Sequence, residues 1–90
     1  MKKCLKITIL GRVQGVWYRA STERKANELG ICGFVQNEPN GNVYIECEGS
    51  DEQLKSLISW CKKGPPLANV SNIKIENGEL VGFDSFSIKR

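Results

Sequence analysis

Residues 11–19 read GRVQGVWYR, with two glycines four positions apart, an arginine near each end and two aromatics before the second arginine. Upstream, Leu5, Ile7 and Ile9 alternate with Lys6 and Thr8, the period of a half-buried strand that ends at Gly11. Downstream, residues from about Ala20 to Leu29 have helix-forming composition, and Gly30 stands where it would cap the helix end. The stretch is therefore the loop of a strand–loop–helix unit, and the rest of the chain has to pack around that unit.

Next come CGFVQN (32–37) and NVYIECEG (42–49), two strand-like runs separated by Glu38-Pro39-Asn40-Gly41, whose Asn-Gly predicts an antiparallel hairpin. Ser50 with Gln53 forms a capping box, and Leu54, Leu57, Ile58 and Cys61 follow as the apolar stripe of a second helix that Gly64-Pro65-Pro66 stops. Val70, Ile73 and Ile75 mark a fourth strand, Asn77-Gly78 a turn, and Phe83 to Lys89 a last extended segment with Phe86 and Ile88 inside. The order β-α-β-β-α-β, with the last β split, predicts an α+β, ferredoxin-like sandwich: an antiparallel sheet with two helices on one face.

Composition sets the limits. Ninety residues, 40% apolar and 26% charged, suit one compact domain near the lower size at which a single core suffices. The net charge of +3 comes from 13 scattered basic residues without a basic block, which suits small anions as readily as nucleic acid. The start, MKKCLKITIL, is broken by Lys6 and ended by Gly11-Arg12, so it reads as mature structure. No stretch approaches the roughly 20 apolar residues of a membrane helix, so a cytoplasmic protein without a membrane partner is expected. There is no histidine, and Cys4, Cys32, Cys47 and Cys61 form no CxxC pair; a Cys/His zinc site is excluded, and the cysteines read as small core residues with free thiols.

A glycine loop that turns from a strand into a helix collects unpaired backbone N–H groups at the positive end of the helix dipole, an arrangement that favours phosphate. Gly15 can take positive φ, and Arg19 in the first turn could add a bidentate contact. Neither GxxxxGK[ST] nor GxGxxG is present, so ATP and NAD are unsupported. A cysteine phosphatase is excluded, because the position six after each cysteine holds Leu10, Glu38, Gln53 or Leu67 rather than arginine. Lacking a histidine base, the site suits an undemanding reaction: a carboxyl-phosphate anhydride, whose carboxylate leaves without protonation, attacked by water. Asn37, of the same parity as Gly33 and Val35, could reach Arg19 and hold that water; alternatively it only opens the hairpin turn.

These residues resemble the acylphosphatase family. GRVQGVWYR is similar to its signature G-x-V-x-G-V-x-F-R, and Gly33, Val35, Asn37, Gly41, Val43 and Gly49 follow its second motif. Gly64-Pro65-Pro66 with Ala68 and Val70, and the closing Phe86 to Ile88, also recur in that family. The resemblance implies one acylphosphatase-like domain over residues 1–90 that hydrolyses acyl phosphates to carboxylate and phosphate. It implies that Arg19 binds the phosphate, that Asn37 orients the attacking water, and that the amides of Gln14, Gly15, Val16, Trp17, Tyr18 and Arg19 form the cradle. It further implies no metal or cofactor, a monomer, no nucleic-acid partner, and phosphate or sulfate as competing anions.

A substrate phosphate oxygen is the expected acceptor of the water's proton, with Glu23 and Glu38 as rivals. The sequence departs from the family at Tyr18 for phenylalanine, Asn40 for aspartate, and Lys89-Arg90 for the commoner Arg-Tyr ending. A buried Tyr18 hydroxyl would need a partner, and Trp17 is expected to be partly exposed packing over the loop, the alternative being an aromatic at the cleft mouth that stacks on or restricts the acyl part of the substrate. Two other readings compete: an RNA-binding sheet, suggested by Gly33-Phe34-Val35, and a domain without turnover like the N-terminal one of the hydrogenase maturation carbamoyltransferase.

Overall fold

The alternation at the start of the chain sends Ile7 and Ile9 to one face of the first strand, where both are fully buried. The structure, a computed structural model, describes residues 1–89. Its elements are β1 (Lys3–Arg12), α1 (Tyr18–Leu29), β2 (Cys32–Asn37), β3 (Val43–Gly49), α2 (Asp51–Lys63), β4 (Asn69–Gly78) and β5 (Phe86–Lys89). The sheet order is β4-β1-β3-β2-β5, the ferredoxin-like arrangement with one added edge strand.

Cross-strand neighbours build the core. Ile7 lies opposite Ile45 of β3, and Val35 of β2 lies opposite the same Ile45, all three fully buried. Helix α1 packs over β2 and β5, and α2 over β4, β3 and β1. From α1, Tyr18, Thr22 and Ala26 turn inward; from α2, Leu54, Leu57 and Cys61 do. The expected capping box forms, with Gln53 N–H donating to the Ser50 hydroxyl and Ser50 N–H to the Gln53 side chain. The hairpin also forms as expected, closed by Glu38 N–H donating to the Asn42 carbonyl at 2.8 Å.

Several boundaries differ from the sequence expectation. Helix α1 starts at Tyr18 rather than Ala20, because the buried Tyr18 ring anchors its first turn. Asn77 and Gly78 do not begin a turn; they continue β4 opposite Leu5 and Cys4. Gly78 is small for another reason, since a Cβ there would press on the Cys4 sulfur and the Lys6 side chain. The last strand begins at Phe86, and it pairs with β2 in parallel, so the sheet is antiparallel through β1–β4 and mixed at one edge. Arg90, part of the departure from the family's ending, lies outside the described residues.

Phe83, expected in that strand, instead sits across the open face of the sheet against Phe34 with ring centroids 5.9 Å apart. Tyr44 flanks Phe34 at 6.0 Å and the Lys89 ammonium lies 4.0 Å above its ring. Phe34 is thereby buried and offers no platform for a base, which counts against the RNA reading. On the same face Glu48 is buried, and its carboxylate accepts from the backbone N–H groups of Val81, Gly82 and Phe83. That one side chain holds the β4–β5 connection against the sheet.

Leu57 is fully buried on the stripe of α2, so Leu57→Ala should cost about 2–5 kcal/mol in urea unfolding. Glu48 should make stability acid-sensitive. Burial raises its pKa, but the three N–H donors, aided by Lys2, outweigh burial and hold the carboxyl below its ordinary value. A depressed folded pKa contributes stability that is present above the unfolded value of about 4.3 and is lost as pH falls through the lower folded value. Wild type should therefore exceed Glu48→Gln in unfolding free energy at neutral pH, and the gap should narrow at acid pH; parallel curves would contradict this role.

Candidate active site

The approach to the loop is set by a bulge. Pairing between β1 and β4 shifts register at Leu10/Gly11, where Gly11 has φ 127°. A Cβ at Gly11 would lie 2.7 Å from the Ser71 nitrogen and closer still to the Asn69 carbonyl oxygen. Only glycine lets the backbones approach so closely while the chain leaves the sheet. Val13 and Val16 then plug the loop into the core, while Gly15 and Trp17 adopt left-handed φ values of 73° and 68°.

Trp17 is the N-cap residue of α1, yet its side chain makes no cap hydrogen bond and no acidic residue lies in the first turn. Helix α2 differs, with Ser50 and Gln53 capping it and Asp51 and Glu52 in its first turn. The N–H groups opening α1 therefore face the loop without a side-chain acceptor, at the positive end of the helix dipole. Tyr18 fastens this end of the helix. Its hydroxyl donates to the Cys61 carbonyl at 2.7 Å, one of the last-turn carbonyls of α2. Burial, and then the neighbouring Cys61, hold that hydroxyl far above its ordinary pKa, so it stays a neutral donor. The partner that a buried Tyr18 needs is thus supplied.

A cavity of about 340 Å³ opens at the loop, lined by Gly15, Trp17, Arg19 and Asn37 on the polar loop and strand side, with Val13, Ala20 and Ile88 beside them. Arg19 is half-buried, and one of its nitrogens makes a long 3.4 Å hydrogen bond to the Lys89 carbonyl of β5. Asn37, at the end of β2, places its Oδ1 in a buried position where it accepts no hydrogen bond among the described residues. Arg19 and Asn37, 18 positions apart in sequence, thus line one cavity.

The remaining loop residues divide. Gly15, Trp17 and Tyr18 line the cavity, whereas the Val16 side chain enters the core. The Gln14 side chain turns to the hairpin, where its Nε2 donates to the carbonyls of Glu38 and Asn42, each at 2.8 Å. Sequence reasoning assigned Gln14 only a backbone role. The single hint in the sequence is a side chain with two amide hydrogens inside a loop, and its partners lie 24 and 28 positions away. Trp17 also departs from expectation, for at 74% exposure it does not pack over the loop but stands at the cavity mouth.

Among the described residues no three His, Cys, Asp or Glu side chains come together as a metal-binding group. Burial pushes the Cys47 and Cys61 thiols up to about 12, so neither is a ready nucleophile. Glu23 and Glu38 do not line the cavity.

Residues 5–88 match the family described as Acylphosphatase. The chain belongs to the acylphosphatase family. It is 45% identical to the acylphosphatase of Methylococcus capsulatus, over 98% of this chain and 97% of that one. Among solved structures, the acylphosphatase of Bacillus subtilis superposes with a TM-score of 0.95 at 33% identity, each chain covered completely. HypF of T. kodakarensis matches with a TM-score of 0.83 at 34% identity over all of this chain but only 12% of its own. The two acylphosphatase relatives are thus spanned almost end to end, whereas in HypF the same fold is a small part of a larger protein.

If Gln14 fixes the loop to the hairpin, Gln14→Leu should weaken anion capture. Sulfate at a fixed millimolar concentration should raise the melting temperature of wild type, by mass action on the folded state, and raise that of the variant less. Equal increments would show that the tie is dispensable for the cradle.

Proposed function

We propose that residues 1–90 act as one acylphosphatase domain, hydrolysing acyl phosphates to carboxylate and inorganic phosphate without a metal or cofactor. The observation that carries this reading is the convergence of an uncapped helix N-terminus, Arg19 and the orphaned Asn37 Oδ1 on one cavity. Family membership supplies the substrate class.

In this mechanism the phosphate of the substrate sits against the amides from Gln14 to Arg19, and the Arg19 guanidinium contacts its oxygens. Water donates a hydrogen bond to Asn37 Oδ1, which turns a lone pair toward phosphorus. In-line attack forms the new P–O bond as the bond to the acyl oxygen breaks, and the electron pair leaves on the carboxylate. Carboxylates of ordinary pKa near 4 need no general acid to depart. Loop amides and Arg19 are fixed in advance where negative charge grows, the arrangement in which preorganised donors are most effective. The water's proton passes to a phosphate oxygen of the substrate, a role that suits a cavity whose lining contains no carboxylate.

Benzoyl phosphate and p-nitrophenyl phosphate, each assayed with EDTA, test the reading. Wild type should turn over only the anhydride, and Arg19→Ala and Asn37→Ala should each lower kcat/KM roughly 10²- to 10³-fold. A folded protein inactive on the anhydride, or one silenced by EDTA, would overturn it. A loss on Glu38→Gln as large as that on Asn37→Ala would overturn the phosphate-as-base step.

A further inference from the structure

Trp17 is the only non-glycine residue among the described ones with positive φ. Left-handed backbone is costly for a bulky side chain and persists where the surroundings impose it. Nothing in the protein repays that cost through burial of the indole, which is 74% exposed. The backbone conformation serves the loop; the side chain is left over, and it stands on the wall of the cavity.

The cavity has room for more than a small polar group. A volume of about 340 Å³ falls within the roughly 300–1,000 Å³ range of small-molecule sites, and a water-sized group takes up only about 30 Å³. Arg19, Asn37 and the loop at Gly15 mark where a phosphate would be held. The rest of the lining is Val13, Ala20, Ile88 and Tyr18, whose hydroxyl is already bonded to the Cys61 carbonyl, together with the exposed indole of Trp17. A substrate fixed by its phosphate must place its acyl group in this remainder, because the acyl oxygen is bonded to the same phosphorus. The acyl group of such a substrate therefore lies among the apolar residues of this lining.

We infer that Trp17 is a specificity-determining residue that selects planar aromatic acyl groups by stacking its indole on them, so that aryl-carboxyl phosphates are preferred to short aliphatic ones. The inference rests on the acyl phosphate reading above. An indole presents a rigid face with only two side-chain torsions to immobilise, and offset or tilted aromatic pairs gain beyond the area they bury. A short aliphatic acyl group has no ring for that face.

The test compares kcat/KM for benzoyl phosphate and acetyl phosphate in wild type, Trp17→Ala and Trp17→Phe, each checked for an unchanged melting temperature. The benzoyl-to-acetyl ratio cancels effects on the shared phosphate loop. It should fall about 3- to 10-fold in Trp17→Ala, mainly through KM, and be largely restored in Trp17→Phe. Independently of turnover, benzoylphosphonate, a non-hydrolysable analogue, should change indole fluorescence in wild type but not in Trp17→Phe, where Trp60 remains as internal control; acetylphosphonate should have little effect. An unchanged ratio with hydrolysis of both substrates would overturn the role of Trp17 alone. A ratio lowered equally with butyryl phosphate in place of benzoyl would overturn the choice of aromatic over aliphatic groups. Hydrolysis of neither substrate would overturn the acyl phosphate reading and this inference together.

Discussion

Tyr18 joins the two helices at the point where the site is made. Its backbone opens α1, its ring is buried and tilted against Trp60 with centroids 5.5 Å apart, and its hydroxyl satisfies a carbonyl at the end of α2. A Cβ on Gly64, just beyond α2, would collide with the same ring. The first turn of α1 is therefore fixed by packing and by a hydrogen bond on its inner side. This leaves its outward N–H groups without a side-chain acceptor among the described residues.

The two helix starts differ in how their unpaired donors are answered. At α2 the sequence provides acceptors in advance, with Ser50, Gln53, Asp51 and Glu52 answering the unpaired donors and the dipole. At α1 the equivalent positions hold Trp17, Tyr18, Arg19 and Ala20, none of which can accept in place of an anion. An uncapped terminus lacks the roughly 1 kcal/mol that a good N-cap contributes. The deficit is tolerated because the Tyr18 anchor holds the turn from the other side.

Local chemistry made most of the architecture legible. The capping box, the Asn-Gly hairpin, the glycine C-cap and the alternation in β1 are short-range signals, and each corresponds to an element of the structure. The positions of Arg19 and Asn37, one at a helix start and the other at a strand end, were legible from their motifs. Failures fell where long-range contacts decide. Asn77-Gly78 looks like a turn in isolation, but β1 is long enough to keep it paired. The role of the Gln14 side chain depends on carbonyls more than twenty residues away. Trp17 was expected to pack because an indole usually does; the left-handed backbone that swings it outward is set by the loop.

The tether at Glu48 has a consequence for how the molecule behaves among its own copies. Strand β5 is only four residues long and covers the outer side of β2, residues Gly33 to Gln36, which would otherwise be a bare sheet edge. A bare edge of this kind is a template for strand addition by another chain. The connection leading into β5 is held by the Glu48 carboxylate, and β5 in turn carries Ile88 to the cavity and the Lys89 carbonyl to Arg19. One buried acid thus guards the sheet against self-association while it keeps the last strand in reach of Arg19. Cover for the β2 edge and support for the strand beside Arg19 share one carboxylate.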